Sequence, residues 1–109
     1  MKFSKQFSIK EKIDLLERSI MVNAYCYYEM NDNLLSDYQY DRNALQFEAL
    51  KKEYPDIFEK SRYYKYFADF QSGTGFDLVS KIQASKSMQK KIERDASWAL
   101  KLKNERTAK

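Results

Sequence analysis

Histidine is absent from this 109-residue chain, and cysteine occurs once, at Cys26. The first absence removes Ser-His-Asp and Cys-His catalysis, histidine metal sites and histidine general bases together. The second removes an intramolecular disulfide and a cysteine-based zinc site. An enzyme is therefore not expected, and no metal is. Only two glycines and one proline are present. Sheet proteins consume those residues in their many turns, so a few long helices joined by short loops are expected. No apolar run approaches the roughly 20 residues of a membrane span, and residues 1–5 lack a signal-like apolar stretch. A soluble, cytoplasmic protein with no membrane partner is the expectation.

What is present is aromatic and charged. Nine tyrosines and seven phenylalanines raise the aromatic share to 16%, within a hydrophobic total of 43% that suffices for one modest core. The net charge of +4 is unevenly spread. Residues 1–80 carry 11 basic and 13 acidic side chains, whereas residues 81–109 carry nine basic and three acidic ones. The division expected is a helical binding region over 1–80 and a basic C-terminal helix or tail over 81–109, within one domain.

Hydrophobic periodicity predicts an all-α fold. Ser8 with Glu11 reads as a capping box, and Ile9, Ile13, Leu16, Ile20, Ala24 and Tyr27 then recur at helical steps. Asn31-Asp32-Asn33 breaks that helix, and Ser36 with Gln39 opens another whose stripe is Tyr40, Ala44, Phe47, Leu50 and Tyr54, stopped by Pro55. Helices over about 8–29 and 36–54 should pair as an antiparallel hairpin. Ser61 is expected to cap a short aromatic-rich helix over about 61–71. Gly73-Thr74-Gly75 reads as a hinge or helix stop, because two glycines at that spacing do not make a phosphate loop. A long basic helix over about 77–103 should follow, with Leu78, Ile82, Ser85, Met88, Ile92, Ala96, Ala99 and Leu102 on its buried face.

The most informative stretch is 25–41. The hairpin brings Tyr27 and Tyr28, in the last turn of one helix, to Asp37, Tyr40 and Asp41, in the first turn of the next. Aromatic faces favour a planar cation, carboxylates accept hydrogen bonds from amides and hydroxyls, and a helix N-terminus offers free N–H groups to phosphate. The competing expectation is plainer: Tyr27 and Tyr40 as core, and Asp37 as a helix-start residue.

The ordering Tyr25-x-Tyr27-Tyr28, eight residues, Asp37-x-x-Tyr40-Asp41, then Glu53-Tyr54-Pro55 resembles the N-terminal helical subdomain of bacterial NAD-dependent DNA ligases across roughly residues 9–60. The resemblance implies binding of the nicotinamide mononucleotide (NMN) half of NAD. Tyr27 and Tyr40 would flank the ring, Asp37 would hold the carboxamide or ribose side, and Tyr28 and Asp41 would contact ribose or phosphate, while Tyr25 packs. This chain departs from the family at Asn33, where a proline is usual, and at Tyr38-Gln39, where Ala-Glu is usual. Ser61-Arg62-Tyr63-Tyr64 does not reproduce the family's next segment. The Lys-x-Asp-Gly nucleotidyltransferase motif is missing, since Lys12-Ile13-Asp14-Leu15 lacks the glycine.

Non-catalytic binding of NMN or NAD, acting with or on a DNA ligase, is therefore the leading expectation. The alternative is a phage-type interaction module or inhibitor of a host or defence protein, using the aromatic band at 63–70, unless those rings close the core beside the hairpin. Lys86, Lys90, Lys91, Arg94, Lys101 and Lys103 are candidates for non-specific contact with nucleic acid or an acidic partner, or else form an ordinary solvated face.

Overall fold

The computed structural model describes residue 3, residues 5–70 and residues 75–107. Among them the chain is all-helical. Helix α1 spans Ile9–Glu29, α2 Asp37–Glu53, α3 Pro55–Glu59, α4 Tyr64–Phe67, α5 Gly75–Gln83 and α6 Lys86–Thr107. Both expected capping boxes form. The Glu11 amide donates to Ser8 Oγ (3.1 Å) while Ser8 N donates to Glu11 Oε1 (3.0 Å). Gln39 and Ser36 repeat the exchange at 3.2 Å. Each box satisfies amides that a helix start otherwise leaves bare.

Helix α1 is the axis of the molecule. Its residues 21–26 are all buried, which a helix achieves only when neighbours cover every side. Helices α2, α3, α5 and α6 all pack against it. Ile13, Leu16, Ile20, Ile82, Ile92 and Phe47 are fully buried in one cluster that includes residues of both the 1–80 and 81–109 regions. Each such side chain contributes roughly 1.5–3 kcal/mol on leaving water.

Two expectations need correction, and one alternative left open is decided. The helix over 61–71 is only the single turn α4, because the start of this segment spends its donors on α1. Ser61 does not cap a helix: its hydroxyl donates to Glu17 Oε2 at 2.8 Å, while the Tyr63 and Arg62 amides donate to Glu17 Oε1 (3.3 Å) and Asp14 Oδ1 (2.8 Å). The aromatic band is core. Tyr63, Tyr66, Phe67 and Phe70 are buried, and Phe47 meets Phe58, Phe67 and Phe70 edge-to-face at centroid separations of 5.7, 5.0 and 6.0 Å. These are favoured quadrupole geometries, and Tyr64 is the one ring of the band left half-buried.

The long helix over 77–103 is broken into α5 and α6. Ser85 sits at the break, its Oγ accepting from the Met88 amide at 3.4 Å and its carbonyl from Gln89 at 2.8 Å. A serine read as part of a buried stripe is thus a helix cap. The buried line is accordingly Leu78, Val79, Ile82, Ile92, Ala96 and Leu100, with Ala99 and Leu102 half-buried. Pro55 ends α2 and also starts α3, where its missing N–H costs nothing. Gly73-Thr74 lies outside the described residues, as does Gln71.

Glu17 is fully buried, and burial pushes its carboxyl up to about 7 from 4.5, against the lowering effect of its bonds from Ser61 and Tyr63. The folded state therefore binds this proton more tightly than the unfolded state does. Stability falls as pH rises from about 4.5 to about 7 and levels off above, by a total on the order of 3 kcal/mol from this group. Glu17→Gln keeps an acceptor for Tyr63 and a partner for Ser61 without the charge. Thermal melts from pH 4.5 to 8 should show the variant gaining on the parent steadily with pH and flattening above 7.

Candidate functional site

The seven residues between α1 and α2 set the mouth of the hairpin. Helix α1 ends loosely: Met30 N donates to the Tyr25 carbonyl (3.3 Å) and Asp32 N to the Cys26 carbonyl (3.1 Å), five and six residues back. Between them Asn31 takes a left-handed φ of 51°, which asparagine tolerates better than most residues. The chain is thereby turned under the end of α1 and back into α2.

A cavity of about 300 Å³ opens between the two helix ends. All five expected residues line it: Tyr27, Tyr28, Asp37, Tyr40 and Asp41. Tyr27 and Tyr28 are 53% and 42% exposed, so their rings are open to a ligand, and they meet edge-to-face at 4.8 Å. Asp37 and Asp41 are exposed. Tyr40 packs against the core, and its hydroxyl is buried with no hydrogen-bond partner. Burial, with smaller effects from Tyr28 and Asp41, pushes that phenol up to about 12; it stays protonated and can donate. Tyr25, expected to pack, is buried.

Residues that sequence reasoning passed over complete the lining. Leu34, Leu35 and Asn33 form one wall, and Asn23 and Ala24 lie one turn before Tyr27 and Tyr28 on α1. Asn23 carried a readable signal, because it is a polar residue seven positions after Leu16 and three after Ile20, inside a buried stripe. The wall residues carried none, since their placement follows from the loop. The lining holds two carboxylates and no basic side chain, so it favours a cationic or neutral polar ring over an anionic one.

The loop wall is tethered from the far end of the chain. Lys103 Nζ donates to the Asn33 carbonyl and reaches Asp32 Oδ1 at 3.5 Å. Leu34 and Leu35 also line a second cavity together with Ala99 and Leu102 of α6. Lys91 likewise turns inward, donating to the Tyr63 hydroxyl at 2.8 Å. Of the six cationic residues proposed for an acidic partner, Lys91 and Lys103 thus serve the fold. Arg94 lies 3.7 Å from Asp95, Lys101 sits over the exposed Trp98 ring, and Lys86 and Lys90 are exposed.

Cys26 is fully buried, and burial raises its thiol to about 11, which keeps it un-ionised and unreactive near neutral pH. Among the described residues no helix is long and apolar enough to cross a membrane. No family model matches the chain, and no curated protein or solved structure is significantly similar to it. The ligase resemblance accordingly rests on the 25–55 motif alone.

Tyr40→Phe removes a buried hydroxyl that lacks a partner, so the ligand-free protein should gain about 1 kcal/mol of stability, measured by chemical denaturation. Lys103→Met should free the loop. Amide exchange at Leu34 and Leu35 should quicken about tenfold, an opening cost lowered by roughly 1.4 kcal/mol, while exchange in the centre of α1 is unchanged.

Proposed function

We infer that the hairpin mouth binds the nicotinamide nucleotide part of NMN or NAD without breaking a bond in it. The observation that carries this is the convergence of Tyr27, Tyr28, Asp37, Tyr40 and Asp41 on one open cavity, in the order that resembles the ligase subdomain. A nicotinamide ribonucleotide presents a flat pyridinium, which the tyrosine faces and nearby carboxylates suit. Ribose hydroxyls are natural donors to Asp37 and Asp41. The first turn of α2 leaves the Asp37 and Tyr38 amides without helical acceptors, and a phosphate at the mouth would meet them. The cavity's 300 Å³ is at the small end of ligand sites, which favours the mononucleotide half over an enclosed dinucleotide.

Binding of this kind orients a nucleotide for chemistry carried by another protein, such as a separately encoded ligase core, or it sequesters or senses the nucleotide. The expected result of calorimetric titration is saturable binding of NMN, binding of NAD through the same site, and loss of both in the Asp37→Ala, Tyr40→Ala double variant. Heats from the parent no larger than those from the double variant would sink the proposal.

A further inference from the structure

Asn23 is only 7% exposed, yet it lines the cavity. Its Nδ2 donates to the Ser19 carbonyl at 2.7 Å and to Ser19 Oγ at 3.2 Å. Those two bonds fix the amide's orientation, because a flipped side chain would set Oδ1 against a carbonyl oxygen. Oδ1 is therefore held as a buried acceptor, and it has no partner. Such an atom is costly unless something donates to it. The Tyr40 hydroxyl, in the same lining, is likewise buried and unpartnered, and it retains its proton.

We propose that Asn23 is the specificity-determining residue of this cavity, selecting a ring that bears a primary carboxamide over one that bears a carboxylate. The inference rests on the nicotinamide reading of the same site and adds a discrimination that reading does not contain. A carboxamide supplies both complements at once: an N–H for Asn23 Oδ1 and a carbonyl for the Tyr40 hydroxyl. A carboxylate has no proton to give. It would place negative charge beside Oδ1, in a lining that already carries Asp37 and Asp41. A ketone would satisfy Tyr40 and leave Asn23 as it is. Sites built around a hydrogen bond reject analogues that lack it, because the protein's own buried group is left unpaired.

The test is calorimetric titration of the full chain with three ligands that differ at one substituent: NMN, nicotinic acid mononucleotide and 3-acetylpyridine mononucleotide. NMN should bind at least about tenfold more tightly than either of the others, the worth of one buried hydrogen bond. Asn23→Ala, after a thermal melt shows it folded, should lose about tenfold toward NMN and little toward the acid or the ketone. Should that variant not fold, the three-ligand comparison on the parent protein decides the matter alone. Equal binding of all three ligands, or an equal loss for all three in Asn23→Ala, overturns the role of Asn23 and leaves the nucleotide reading standing. Binding of none of them overturns both.

Discussion

Enclosure of α1 is the constraint on which the rest of the structure depends. A helix buried along residues 21–26 must find apolar cover on every side. In a chain of 109 residues that cover consumes nearly every other element. Helices α2, α3, α5 and α6 are arranged by this need, and Phe47 with its ring of phenylalanines is the seal between α2 and the 55–70 segment. The site exists where the enclosure stops. Cys26 is fully buried and Tyr27 is half open, so the last turn of α1 passes directly from core to cavity wall.

Two carboxylates on α1 solve the opposite problem, that of holding a segment that cannot hold itself. Residues 61–63 lie outside any helix, and the Arg62 and Tyr63 amides and the Ser61 hydroxyl need acceptors elsewhere. Asp14 and Glu17 accept from them. The solution places an acid in a fully buried position, where ionisation is penalised. Glu17 is therefore a structural clamp whose strength depends on its proton, and not a candidate for acid–base chemistry, since it lies outside the cavity lining.

The basic C-terminal helix has a larger structural part than its charge suggests. Through Lys103 it tethers the loop that forms the cavity's apolar wall, and through Lys91 it grips Tyr63. A cavity assembled from α1, α2 and a loop pinned by residue 103 is thus a property of the whole chain, although its aromatic and acidic groups all come from residues 27–41.

The sequence by itself determined the all-helical class, the α1–α2 hairpin, its capping boxes and the residues at its mouth, because each depends on neighbours within about four positions. Ser36, Gln39, Tyr27 and Asp41 are legible for that reason. Tertiary structure decided the fate of Ser61 and the 63–70 rings, and it left Asn23 Oδ1 buried without a partner. Whether a serine that does not cap clamps or packs depends on what lies across from it, and Glu17 is 44 residues from Ser61. Aromatic residues at mixed spacing look the same whether they face solvent or a phenylalanine on another helix. An asparagine in a buried stripe can place its amide N–H groups on the residue four back, as Asn23 does on Ser19; what surrounds its other half is settled by packing in three dimensions.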